Sequence, residues 1–203
     1  MRIRTKRDRT EAIVEPSPES LCLECGLCCD GTVFAAMTIQ ADERDYVVSL
    51  GLTTTPDGDR FVSPQPCPAF QGGCCSLYTT GRPLACGAYS CQLLSARRRD
   101  TRSHDDCLAV VAEVRGVAHD VEQAMGLDAG TFTRAAITDY VEEHSPDEHP
   151  AEHREFLVAF TRLAGLGLQY FGYPIEPGEE RAIAAGEAIA AAATRAEGPE
   201  PPT

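Results

Sequence analysis

The second half of the chain carries the clearest alternation of apolar and polar positions. Apolar residues between Val110 and Val121 recur at intervals of three or four, which predicts an amphipathic helix over about 106–125. Further helices are predicted at about 129–143, 151–167 and 179–196, the last of them rich in alanine. Cys107 falls on the apolar stripe of the first helix, where a buried thiol behaves as a small hydrophobic side chain.

The first half has a weaker pattern. Residues 37–51 predict a short helix capped at Thr38 and ended by Gly51, and residues 53–64 contain the Asp-Gly signal of a hairpin turn. Residues 63–91 are rich in proline and glycine, and a segment of this kind is hard to order without cross-links or metal. We therefore expect a mainly α protein, with an irregular, metal-organised cysteine-rich N-terminal half containing short β pieces and a helical C-terminal half.

The same contrast divides the chain into segments. They are a disordered basic arm at 1–19, a cysteine-cluster metal-binding domain at 20–104, a helical region packed on it at 105–196 and a disordered tail at 197–203. The N-terminus lacks the apolar stretch of a secretory signal, and no apolar run is long enough to span a bilayer. These features favour the cytoplasm, where thiols stay reduced, so the ten cysteines indicate metal binding more than disulfides or scattered core thiols.

The charge balance limits the partners. The formal net charge is −13 and Lys6 is the only lysine, so a nucleic acid is not expected as a partner. A membrane is not expected either, because no apolar run is long enough to span one, whereas a protein partner is expected. Arg97, Arg98 and Arg99 form a local basic run. We interpret it as a solvated helix end, although such a run could also stabilise an anionic metal centre or dock an acidic partner.

The cysteines fall into two groups. Cys22, Cys25 and Cys28 form a C-x2-C-x2-C run that brings three thiolates to one centre, as in bacterial ferredoxins. The next cysteine, Cys67, is followed by proline, another ferredoxin feature, but the short spacing of a ferredoxin's fourth ligand is absent. Cys29 directly follows Cys28, and because consecutive side chains diverge, it is expected to serve a second centre or to bridge two.

The second group completes a wider pattern, C-x-x-C-G-x-C-C, C-P-x-[FL], C-x-[IL]-Y and R-P-x-x-C-R-x-[FY]-x-C. The matching residues are Cys22, Cys25, Gly26, Cys28, Cys29, Cys67, Pro68, Phe70, Cys75, Leu77, Tyr78, Arg82, Pro83, Cys86, Tyr89 and Cys91. In this pattern the chain resembles the YkgJ-like cysteine-cluster family of zinc- or iron-chelating proteins. It departs at Gly87, where the family usually has arginine, and it carries an extra Cys74. The resemblance covers about residues 20–91.

The resemblance implies eight metal ligands, which are Cys22, Cys25, Cys28, Cys29, Cys67, Cys75, Cys86 and Cys91. Eight thiolates suffice for two four-thiolate sites, and such sites suit either zinc or an iron–sulfur cluster. The C-x2-C-x2-C run and the Cys-Pro element favour iron–sulfur, because structural zinc sites more often use separate C-x2-C pairs. His149 and His153 are a weaker candidate, since they share a helix side only if Pro150 opens the next helix; a solvated linker is the preferred interpretation.

Three functions fit these observations. The preferred one is a metal-binding protein, active in electron transfer or metal handling. A second is an S-adenosylmethionine-dependent protein methyltransferase, because flagellin lysine-N-methylases resemble this family in carrying a similar cysteine cluster, although no dinucleotide-binding glycine motif, nucleophile elbow or P-loop is present. The third is a zinc-stabilised protein-interaction module, in which metal replaces a core.

Overall fold

The computed structural model describes residues 17–196, so most of the expected basic arm and the expected tail at 197–203 lie outside it. The fold is mainly α with short β pieces, as the sequence predicts. Its helices are α1 (Ser20–Cys25), α2 (Arg44–Ser49), α3 (Leu84–Ala88), α4 (Gln92–Arg98), α5 (His104–Ala124), α6 (Arg134–His144), α7 (Arg154–Phe171) and α8 (Pro177–Ala196). Its strands are β1 (Ala36–Ile39), β2 (Thr55–Asp57), β3 (Arg60–Pro64), β4 (Phe70–Gln71) and β5 (Cys74–Cys75).

Helix α5 is the centre of the main hydrophobic core. Its N-cap is Ser103, whose Oγ accepts a hydrogen bond of 3.1 Å from the backbone N of Asp106. The valine stripe predicted from the sequence is buried along it, and Cys107 is fully buried on the same face. Helix α5 packs against α7 and α1, and α7 packs against α8. Leu21 of α1 and Leu93 of α4 belong to the same core, so the cysteine-rich half and the helical half share one interior.

The predicted helix at 37–51 is wrong in its first part. Met37 and Thr38 lie in β1, which pairs antiparallel with β3 so that Thr38 faces Val62. A short 3-10 turn at Ala41–Glu43 follows, and only then does α2 begin. The apolar positions of this segment fit two turns of helix, while Ile39 joins a second, small core with Val47, Leu52 and Ala69. Strand β1 has only four residues, too few for its alternation of apolar and polar positions to be recognised in the sequence.

The predicted hairpin is confirmed. Strands β2 and β3 pair antiparallel, Asp57 faces Arg60, and Gly58 has a φ of 60° in the turn between them. The three-stranded sheet has the order β1-β3-β2, and β4 pairs with β5 in a separate two-stranded ribbon.

The predicted later helices are present with shifted ends. Helix α6 begins five residues after the predicted start, because Gly130 has a φ of 80° and Thr133 provides the N-cap. Helix α7 begins at Arg154 and ends at Phe171, and its C-cap Gly172 has a φ of 59°. Pro150 therefore does not open a helix. Within residues 17–196, no helix has both the length and the apolar character needed to cross a membrane.

Candidate metal centre

Eight of the ten cysteines surround one cavity of about 320 Å³. They are the eight that the resemblance implies as ligands: Cys22, Cys25, Cys28, Cys29, Cys67, Cys75, Cys86 and Cys91. The other two lie elsewhere, since Cys74 is exposed on β5 and Cys107 is buried in α5 with its Sγ 3.9 Å from the carbonyl oxygen of Leu93. All ten are free thiols. The structure thus brings eight thiols together and leaves two apart.

The first cysteine run is shaped by Gly26. Cys22 and Cys25 lie in α1, which ends at Gly26 with a φ of 65°. The chain then turns back, and the backbone N of Cys29 donates a hydrogen bond of 2.7 Å to the carbonyl oxygen of Gly26. A Cβ at position 26 would lie 2.4 Å from the ring of Phe70, so both the conformation and the contact require glycine.

The remaining cysteines come from four further segments. Cys67 precedes β4, and its backbone N donates a hydrogen bond of 2.8 Å to the carbonyl oxygen of Cys29. Cys75 lies in β5 and pairs with Phe70 of β4. Cys86 lies in α3, and Cys91 is the N-cap of α4, where its Sγ accepts a hydrogen bond of 3.3 Å from a backbone N. Short elements joined by backbone hydrogen bonds therefore position these four side chains.

Four of the thiols form a first set, defined as Cys22, Cys25, Cys28 and Cys91. Burial, together with the nearby Cys91 and Cys22 thiols, raises the pKa of Cys25 to about 12. Burial raises the pKa of Cys28 well above its usual range, with contributions from the other three thiols of the set and from Cys29. Thiols in this environment stay protonated until a cation takes the place of the protons.

The other four form a second set, defined as Cys29, Cys67, Cys75 and Cys86. Burial, together with the other three thiols of this set, raises the pKa of Cys29 to about 12. Burial, together with Cys67 and Cys75, raises the pKa of Cys86 to about 11. Each set therefore contains four sulfur atoms that influence one another, which is the number of ligands in a four-thiolate zinc or iron–sulfur site.

Arginine side chains offset part of the negative charge that ionised thiols would create. The guanidinium carbon of Arg82 lies 4.0 Å from the centre of the Tyr78 ring, and both residues line the cavity. Burial raises the pKa of Cys22 and Cys86, and Arg82 lowers both, so one arginine acts on a thiol of each set. Arg82 matches the family pattern, but the pattern alone does not indicate that this arginine acts on a thiol of each set.

Two more arginines, from α5 and α4, lie near the first cysteine run. Arg115 of α5 donates a hydrogen bond of 2.6 Å to the carbonyl oxygen of Cys25 and lies 3.4 Å from the carboxylate of Asp30. Arg98 of α4 lines the cavity and lies 3.6 Å from the carboxylate of Glu19. Arg115 was missed by sequence reasoning, because a single arginine on the polar side of a long helix carries no signal.

The basic run at 97–99 is only partly the solvated helix end that we expect from the sequence. Arg99 is exposed, but Arg97 is buried on the inner face of α4 and lies 2.8 Å from the carboxylate of Asp100. Arg98 belongs to the cavity wall. Arg98 is nevertheless exposed and lies beside the carboxylate of Glu19, so it keeps the solvated character expected from the sequence.

The histidines of residues 144–153 are separate from the cavity. His153 precedes α7, and its Nδ1 lies 2.8 Å from the hydroxyl of Tyr140, whose ring stacks on His144. His149 is exposed in the turn before α7. Since Pro150 does not begin a helix, His149 and His153 do not share a helix face.

In the part of the chain from 17 to 196, no group of three or more His, Cys, Asp or Glu side chains stands in a geometry that would hold a metal ion. The eight thiols line the cavity wall, and their sulfur atoms would have to move closer together to coordinate a metal ion. Searches against protein-family models, curated proteins and solved structures find no match. The resemblance to the YkgJ-like family rests on the cysteine pattern alone.

Proposed function

We propose that this chain is a metal-binding protein whose eight cavity cysteines hold two four-thiolate centres. Its work is electron transfer or metal handling in the cytoplasm, together with a protein partner. The first centre consists of Cys22, Cys25, Cys28 and Cys91, and the second of Cys29, Cys67, Cys75 and Cys86.

The observation that carries this proposal is that eight of the ten thiols line one cavity. The sequence pattern alone does not tell which four cysteines belong together. In the structure, α4 contributes its N-cap Cys91 to the first set, and the backbone hydrogen bond between Cys67 and Cys29 links two members of the second. Four sulfur ligands complete a tetrahedral zinc site or an iron–sulfur cluster, so no further protein ligand is needed in either set.

Iron–sulfur is the preferred content for electron transfer. The cavity wall contains apolar side chains such as Leu27, Phe34 and Leu77, which limit the access of water to a bound cluster. Cys28 and Cys29 are consecutive, so their Cα atoms are about 3.8 Å apart and the two centres are neighbours. Neighbouring centres suit the passage of electrons from one to the other, and the cationic Arg82, which lines the cavity, would stabilise their negative charge.

The test is anaerobic purification of the full chain, followed by visible absorption and by analysis of iron, acid-labile sulfide and zinc. Iron with an equivalent amount of sulfide, in a brown protein whose colour bleaches on reduction, is the expected result. A colourless protein with two zinc ions per chain would support the two centres but contradict a role in electron transfer. Metal-free protein from cells grown with both metals would contradict the proposal as a whole.

A further inference from the structure

One sulfur atom in the cavity does not belong to a cysteine. The Sδ of Met37 lies 2.9 Å from the Sγ of Cys86, and Met37 lines the same cavity as the eight thiols. Met37 is held in β1, where it pairs with Ser63 of β3, and α3, which carries Cys86, lies against β1. The thioether is therefore positioned by a sheet and a helix, and a metal bound to Cys86 would lie within its reach.

The first set has no such neighbour among the described residues. Met125, the other methionine in this part of the chain, packs against the helical core at the end of α5. The two sets thus differ in their donors: four thiols in the first, and four thiols with one thioether in the second. A thioether is a soft donor that carries no charge and needs no deprotonation.

We propose that Met37 is a sulfur donor of the second centre, able to take the place of one of its thiolates, and that it gives this centre a preference for a soft monovalent ion, Cu(I), over Zn(II). This inference rests on the proposed metal-binding function and concerns its metal-handling branch. Cu(I) is bound by few soft ligands and accepts a neutral thioether as one of them, whereas zinc sites are built from cysteine, histidine and carboxylate ligands, so replacing a thiolate by a thioether favours Cu(I).

The experiment compares metal affinities in the full chain after the metal has been stripped and the thiols reduced. Cu(I) and Zn(II) are titrated separately against a chromophoric chelator that competes for each ion. Met37→Leu removes the sulfur and keeps an apolar side chain, and Met125→Leu is the matched control in the helical core. We expect Met37→Leu to weaken Cu(I) binding about tenfold or more and to leave Zn(II) binding unchanged, while Met125→Leu changes neither.

A second measurement identifies the donor directly. The chain has three methionines, so the ¹³C-methyl methionine spectrum is simple to assign with the two leucine variants. Adding Cu(I) should shift the methyl signal of Met37 and leave that of Met125 in place. If Met37→Leu disturbs folding, norleucine incorporation replaces each methionine sulfur by a methylene group of similar size and repeats the comparison.

The outcomes separate this inference from the proposed function. Unchanged Cu(I) affinity in Met37→Leu would overturn the role of Met37, and equal loss of Cu(I) and Zn(II) in a folded variant would show that Met37 only packs against the site. In both cases the wild-type chain still binds metal, and the proposed function stands. Wild-type protein that binds neither ion would overturn this inference, and the proposed function falls with it only if the purified protein also contains no iron.

Discussion

Cys28 and Cys29 are joined by one peptide bond, yet their thiols belong to different sets. Burial raises the pKa of both thiols; the other thiols that raise the pKa of Cys28 are Cys25, Cys91, Cys29 and Cys22, whereas those that raise the pKa of Cys29 are Cys75, Cys67 and Cys86. The turn at Gly26 places the pair at the boundary between the two sets. This doublet therefore lies where the two proposed centres would meet.

The doublet gives the first prediction. Cys28→Ser should empty the first centre and Cys29→Ser the second, because each removes one of four ligands and leaves the other set complete. Bound metal per chain should fall by about half in each single variant and almost completely in the double variant. Elemental analysis of the three purified proteins measures this. Complete loss in either single variant would show one shared centre in place of two.

Cys75 and Cys74 provide a second, matched comparison of adjacent residues. Cys75 lines the cavity, whereas Cys74 is exposed, so Cys75→Ser should lower bound metal sharply and Cys74→Ser should leave it intact. Cys107→Ala should also retain metal and cost at most about 1 kcal/mol of stability, as a small cavity does. Elemental analysis measures the metal bound per chain in the three variants, and urea unfolding measures the stability of Cys107→Ala. Retention in Cys75→Ser with loss in Cys107→Ala would contradict the ligand set.

Arg82 predicts how the binding of metal depends on pH. Burial raises the pKa of Cys22 and Cys86, and the Arg82 guanidinium lowers it, so removing this charge raises the pKa of both thiols further. Metal must displace the thiol protons, and the midpoint of loading in Arg82→Gln should therefore move to higher pH by up to about one unit. Arg99→Gln, which removes an exposed charge of the same basic run, is the control. Equal midpoints in the wild type and Arg82→Gln would contradict this role.

The sequence predicts the helical half better than the cysteine-rich half, for a physical reason. The stripe from Val110 to Val121 repeats over about three turns, so its period is unambiguous, and the structure buries it. In residues 37–51 a four-residue strand and a two-turn helix follow each other, and neither is long enough to show its period. Thr38 is suitable as a helix cap, but its pairing with Val62 places it in a strand.

The candidate site shows the same limit. Spacing identifies the eight cysteines as a group, but the partner of the first run, Cys91, lies over sixty residues away, and only the fold brings it there. Met37 reaches the site from β1 and Arg115 from α5. Neither element contributes a cysteine to the cavity. A single methionine or arginine has no sequence signature, so such contributions emerge only from the three-dimensional structure.

Metal should be needed to order the cysteine-rich half. Its second core contains only four buried residues, with Cys67 packed against it, and its strands are short. Stripping the metal removes the cross-links that hold these loops, so a protease should cut residues 20–91 faster in the stripped protein while α5 and α7 resist. Mass spectrometry of the fragments with and without chelator measures this. Equal resistance of residues 20–91 after complete removal of metal would refute it.

The last prediction concerns a buried ion pair that stabilises the loop carrying Cys28 and Cys29. Arg134 and Glu179 pair in the interior, each no more than 2% exposed, and Arg134 also donates a hydrogen bond of 2.7 Å to the carbonyl oxygen of Pro174. The backbone N of Arg134 donates a second hydrogen bond of 2.6 Å to the carbonyl oxygen of Gly31, two residues after Cys29. The pair therefore fixes the start of α6 and, through it, the loop that carries the cysteine doublet.

Arg134→Met leaves the carboxylate of Glu179 buried without its cation, so we expect a loss of about 3–5 kcal/mol in the free energy of unfolding and faster release of metal to a chelator. Replacing both residues, as Arg134→Met with Glu179→Leu, should recover most of this loss, because no unpaired charge remains. The exposed pair of Arg162 and Glu113 is the control: its N–O distance is 3.0 Å, and Glu113→Gln should cost less than about 1 kcal/mol. Urea unfolding of the metal-loaded chains measures all three. A loss in Arg134→Met no larger than in Glu113→Gln would show that the buried pair does not support this part of the fold.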